Sequence, residues 1–144
     1  MASKGKQQGE GSGSTIPSRS LVELADQSQL DFELEFFGQI LERHSDYVDV
    51  LRVMANNLTL KGRTQDGLEI DRRLVRLRPR DALAHYNLAC SYALIRRTDA
   101  ALQALRRAVE LGYRDFRYMR QDRDLDSIRN DPRYRQILQE YDNR

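Results

Sequence analysis

Tryptophan is absent, cysteine occurs once, proline only three times, and no apolar run approaches the length of a membrane helix. Each shortage excludes something. With no tryptophan and 8% aromatic residues, a core has to come from Leu, Ile, Val and Ala at regular spacing rather than from large rings. Cys90 alone makes no intramolecular disulfide, and with only His44 and His85 beside it the chain has too few soft ligands for a four-ligand zinc site. A membrane span requires about 20 consecutive apolar residues. With no such run, and no apolar stretch of signal-peptide type in the opening residues, the expected home is the reducing cytoplasm, with no membrane partner.

A large charge excess is missing too, since the formal net charge is only +2. That balance argues against a dedicated nucleic-acid binder, which shows a much stronger basic bias. It hides an uneven distribution: residues 21–50 hold eight acids against Arg43 alone, whereas the bases outnumber the acids beyond residue 50. Such polarity favours steering of charged partners or head-to-tail self-association.

What the chain does contain is an internal repeat. Thr64, Gly67, Leu68, Arg72, Arg73, Val75 and Leu77 are answered by Thr98, Ala101, Leu102, Arg106, Arg107, Val109 and Leu111, every pair at the same offset of 34. A period of that length, built of two helical patterns with small residues where helices meet, marks a helical repeat array.

The helical patterns are readable one by one. Residues 1–20 carry almost nothing to bury and read as a disordered tail. From Asp31, the residues Phe32, Phe36, Phe37, Ile40 and Leu41 recur at helical spacing, with Leu21, Val22 and Leu24 as a stub of a degenerate preceding helix. Ser45 or Asp46 is placed to cap a helix carrying Val50, Leu51, Met54, Ala55 and Leu58, which Lys61-Gly62 stops. Thr64 and Thr98 are expected as N-caps of the second helix of each unit, and Pro79 and Gly112 end those helices. Asp81 opens the helix bearing Leu88, Ala89 and Tyr92, and Asp131-Pro132 is a start signal for a last helix with Tyr134, Ile137, Leu138 and Tyr141. In so thin a core, Leu88→Ala or Leu102→Ala is expected to cost about 2–5 kcal/mol.

The string Tyr86-Asn87-Leu88-Ala89-Cys90-Ser91-Tyr92 is similar to the first-helix motif of tetratricopeptide repeats, and Ala101 and Ala108 fall where that family places small residues. Gly67 fills the corresponding place one period earlier. The stretches Gly112 to Phe116 and Asp124 to Tyr134 resemble the segment that closes repeat groups in many bacterial members. The resemblance covers about residues 31–141 and implies an all-α fold, a short right-handed solenoid of helical hairpins. In it, residues 21–45 form an incomplete leading repeat, 46–112 two full repeats and 113–144 a helical C-terminal cap.

By the same resemblance the first helix of each unit lines a concave groove that binds a peptide or partner helix. Asp49, Arg52 and Asn56 in one unit and Tyr86, Asn87 and Cys90 in the next are then the groove candidates. Arg52 with Asn56 and Asn87 is similar to part of a clamp for a peptide's C-terminal carboxylate, with Arg117 or Arg120 supplying the missing bases. The implied function is a protein-interaction adaptor or scaffold. Two other readings stay open: a self-associating structural module, and a regulatory fragment of a repeat-containing enzyme.

No catalytic constellation accompanies the helices. His44 and His85 lack a neighbouring nucleophile and orienting acid, and Cys90 reads as a small packing or groove residue. Asp122, Asp124 and Asp126 lack the loop glycine and bidentate glutamate of a calcium loop and read as helix caps. No enzyme activity, cofactor or metal is expected. The pairs Arg72-Arg73, Arg96-Arg97 and Arg106-Arg107 read as solvated outer faces, with Glu69, Asp71, Asp99 and Glu110 as ion-pair partners.

Overall fold

The structure, a computed structural model, describes residues 20–142. Within them the chain is helical, with no strand: α1 (Leu21–Arg43), α2 (Val48–Leu60), α3 (Thr64–Leu77), α4 (Ala82–Leu94), α5 (Thr98–Glu110), α6 (Phe116–Gln121), a 3-10 turn (Arg123–Ile128) and α7 (Pro132–Tyr141). Each of the first five helices packs on its neighbour in sequence, the 3-10 turn returns onto α4, and α7 lies on α5. The expected tail lies outside the described residues except for Ser20, which caps α1.

The sequence offset is also a backbone offset. At the end of α2, Arg63 N donates to Leu58 O and Gly62 N to Thr59 O; at the end of α4, Arg97 N donates to Tyr92 O and Arg96 N to Ala93 O. Every member of the second set stands 34 positions beyond its counterpart. Both turns satisfy the last carbonyls of a helix through one residue in the left-handed region. Gly62 takes that conformation at φ 84° without steric cost, but Arg96 takes it at φ 61° with a Cβ in place.

Small residues set the helix approach. Ala55, Gly67, Ala89, Ala101 and Ala108 are all buried. A Cβ built on Gly67 lies 3.1 Å from Thr59 Oγ1 and 3.3 Å from Ala55 O. In the second hairpin the positions of Thr59 and Gly67 are held by Ala93 and Ala101, so the volume is shared differently across the same contact.

Three local expectations change. The first helix is a single 23-residue element, not a stub followed by a helix, because Ser20 and Glu23 form a reciprocal capping box that starts it ten residues before Asp31. Thr64 and Thr98 are the first residues of α3 and α5, not their caps; the tight turns place Arg63 and Arg97 at the cap positions, with no side-chain cap bond. Likewise Tyr47, not Ser45 or Asp46, precedes α2, and Asp46 instead pairs with Arg73 at 2.9 Å. Asp81 and Asp131 cap α4 and α7 as expected, through side-chain bonds to Ala84 N and Arg133 N.

Candidate functional site

Helices α2 and α4 present one face each to a cavity of about 470 Å³, and α6 with the turns around it closes one side. Helix α3 packs against both α2 and α4, and residues of α2 and α4 line a common hollow with Asp71 of α3. Arg52, Asn56 and Thr59 come from α2, and Leu83, Tyr86, Asn87, Cys90 and Leu94 from α4. Five of the sequence candidates therefore meet: Arg52, Asn56, Tyr86, Asn87 and Cys90.

The other three do not join them. Asp49 lines a second, open cavity beside the α1–α2 turn, with Arg43, His44 and Arg78, and Arg52 lines both cavities. Arg117 is exposed and outside the groove lining, and Arg120 is ion-paired with Asp142. The carboxylate clamp is consequently not assembled as expected. Arg52, its central cation, is ion-paired with Asp81, the residue that caps α4. That contact explains why Asp81 stays ionised more readily than usual despite the desolvation opposing it: the Arg52 hydrogen bond and the capping bond to Ala84 lower its pKa.

Sequence reasoning missed the groove's acidic character. Asp71, Asp115, Asp122 and Asp124 all line it, together with Tyr113 and Tyr118. Tyr86 is buried, stacks on Tyr113 with ring centroids 4.2 Å apart, and donates its hydroxyl to Asp122 Oδ2 at 2.6 Å. Cys90 Sγ donates to the same oxygen at 3.6 Å, while Asp122 Oδ1 accepts from Asp124 N and so caps the 3-10 turn. The reading of Asp122 as a cap holds, but the residue also serves the cavity wall. Burial raises the pKa of the Cys90 thiol, with the charge of Asp122 acting in the same direction, which favours the protonated thiol that donates to Asp122. Its Sγ and the carboxylates of Asp122 and Asp124 lie within 4.8 Å of one another, and Asp122 accepts from Cys90 Sγ and from the main-chain N–H of Asp124.

Asp71 is the outlier. The expected partner is an arginine on the outer face of α3; instead Asp71 is 3% exposed and accepts a hydrogen bond from Ser91 Oγ, while Oδ1 has no partner. Desolvation lifts its pKa from 3.8 to about 6, against the lowering effect of Ser91. The signal that could have found it is the repeat itself, because the residue one period later is Leu105, fully buried. Among the other expected ion pairs, Arg72–Glu69 and Arg107–Glu110 form, whereas Arg106 reaches Glu140 and Asp99 pairs with Arg133.

No protein-family model matches the chain. A segment of 61 residues is 36% identical to a chloroplastic protein of Arabidopsis thaliana, covering 42% of this chain and 18% of that protein. The chain therefore matches only about a fifth of that relative's length.

Proposed function

We propose that the protein is a tetratricopeptide-type helical-hairpin array whose groove holds a segment of a partner protein. The observation that carries this reading is the shared cavity: the first helices of two equivalent hairpins contribute polar and apolar side chains to one concave surface. The matching turn hydrogen bonds and the buried small residues at the helix contacts support the repeat assignment. Leu83 and Leu94 at the rim are 49% and 36% exposed, and Tyr118 is 53% exposed, an apolar fringe suited to desolvation by a bound chain. Among the described residues no helix is long and apolar enough to cross a membrane, and a reducing compartment such as the cytoplasm suits the single protonated cysteine.

Affinity capture from the source cell, followed by mass spectrometry, tests the reading. Leu94→Glu combined with Tyr118→Ala is expected to lose the partner while keeping the wild-type melting temperature. Retention of every captured protein by that folded variant would remove the groove from consideration.

Self-association is the second reading, favoured by α1. Phe32 and Phe36 on that helix are 61% and 48% exposed and stacked at 6.0 Å, on the acidic end of the chain. Sedimentation at increasing protein concentration, with Phe32→Ser/Phe36→Ser as control, separates a dimer at this face from a monomer.

A further inference from the structure

We propose that the groove is a receptor for a basic side chain, an arginine or lysine carried by an extended segment of the partner protein. The inference deepens the groove-binding reading and rests on it.

Charge is the first argument. Four carboxylates, Asp71, Asp115, Asp122 and Asp124, line one cavity, and none of them is in an ion pair among the described residues. The cation in the lining, Arg52, is already matched by Asp81. Negative charge in a partly enclosed hollow reinforces itself because low-dielectric walls focus the field. The effect is visible inside the cavity: Asp122 is the largest cause of the raised pKa of Tyr118, and after desolvation it is the main cause of the raised pKa of Asp124. A carboxylate ligand entering here meets repulsion, and a cation meets attraction.

Asp71 supplies an independent argument. It occupies the position that the second hairpin fills with Leu105, lies 3% exposed in the same cavity lining, and leaves Oδ1 without a hydrogen bond. A buried carboxylate oxygen without a donor is costly, and a leucine at this position carries no such cost. A bound guanidinium or ammonium provides the missing donor. Arg52 Nη1, also buried without a partner, supplies a donor for a main-chain carbonyl of the same segment.

The walls suit the stem of a long basic side chain. Tyr118, tilted at 6.3 Å from Tyr86, and the exposed Leu83 and Leu94 offer aromatic and aliphatic surface for methylenes and for a cation over a ring. Tyr86 and Cys90 hold Asp122 in place by donating to one of its oxygens. The recognition unit is thus a cationic head among carboxylates with its stem on tyrosine and leucine.

The test uses end-blocked, fluorescein-labelled decapeptide pools that differ in one central residue, Arg, Lys, Gln or Glu, and a fifth pool with a free C-terminal carboxylate. Anisotropy titrations with the full chain are expected to rank Arg and Lys above Gln by about tenfold and Glu last, as a charge-assisted hydrogen bond in a sheltered site implies. That preference should shrink with added salt and vanish in Asp122→Asn/Asp124→Asn. Asparagine keeps one acceptor, for Asp124 N, and turns its amide N–H toward the Tyr86 hydroxyl, which accepts as well as donates; circular dichroism verifies the fold, and Asp71→Asn is the alternative variant if the double one does not fold. Equal binding of Gln and Arg pools, or strongest binding of the free-carboxylate pool, with loss in Leu94→Glu, overturns the basic-side-chain proposal and leaves the groove reading standing. Arg-pool binding that survives the aspartate variants also overturns it. Stoichiometric binding of zinc chloride that abolishes the preference reassigns the carboxylates to a metal and overturns it as well. Binding of no pool by the folded protein overturns both readings.

Discussion

The two ends of the molecule are held together very differently. Eighteen buried side chains from α3 to α7 form one cluster that runs through Leu102, Leu105, Val109, Met119, Leu125, Ile128 and Ile137. On the leading side the corresponding cluster is Leu51, Leu74 and Ala84, with partly buried Leu41 and Val48 against it, and none of the described side chains of α1 is fully buried. The same repeat thus gives a firm trailing half and a lightly packed leading one. The reason is what each hairpin has beyond it: α4–α5 is covered by α6, the 3-10 turn and α7, while α2–α3 has only α1.

The largest break in that contrast is expected from Leu105→Ala. It removes a fully buried side chain from the middle of the large cluster and should cost about 2–5 kcal/mol in urea unfolding. Phe32→Ala on α1 should change the same measurement by less than about 0.5 kcal/mol.

Asp71→Asn sharpens the comparison, since it removes the charge that sets the first hairpin apart from the second. The folded pKa of about 6 lies above the ordinary 3.8, so the unfolded chain gives up its proton first as pH rises. Stability is therefore fully present below about pH 4, falls between about pH 4 and pH 6, and is level above that window. The loss in the wild type amounts to about 3 kcal/mol at most. The variant should be more stable than wild type at pH 7 and lack this decline; urea titrations at several pH values read both. If the basic-side-chain proposal holds, the gain in stability comes with a loss of binding.

Smaller effects are expected at the two turns. Arg96→Gly gives the second turn the residue of the first and relieves a left-handed Cβ, for a gain of about 1 kcal/mol measured by thermal melting. Gly67→Ala alone meets Thr59 and Ala55 O and should be near neutral, because helix propensity and crowding oppose each other. With Thr59→Ala added, the first hairpin takes the arrangement of the second, and the double variant should gain about 1 kcal/mol. A double-mutant cycle shows the coupling directly.

Much of this is legible before folding. The order of helices α2 to α5 and α7, the stops at Gly62 and Gly112, and the Asp81 and Asp131 caps follow from periodicity and local chemistry, which act within a few residues. The start of α1 escapes that reading because its early turns bury nothing, so hydrophobic spacing is silent there and only Ser20 and Glu23 mark it. For the groove, five of the eight candidates that the family resemblance implied do line the cavity. Its aspartates could not be named, since Asp115, Asp122 and Asp124 reach it through turns whose path no spacing rule predicts.

The chain alone determined an α-helical repeat of 34 residues with small residues at the helix contacts, because main-chain preference and side-chain volume are local properties. Only the tertiary structure decided that Arg52 is matched by Asp81, that Asp71 is buried without a full set of partners and that the groove is acidic. Electrostatic surroundings depend on distance through space, and residues 71, 86 and 122 become neighbours only once the helices have stacked.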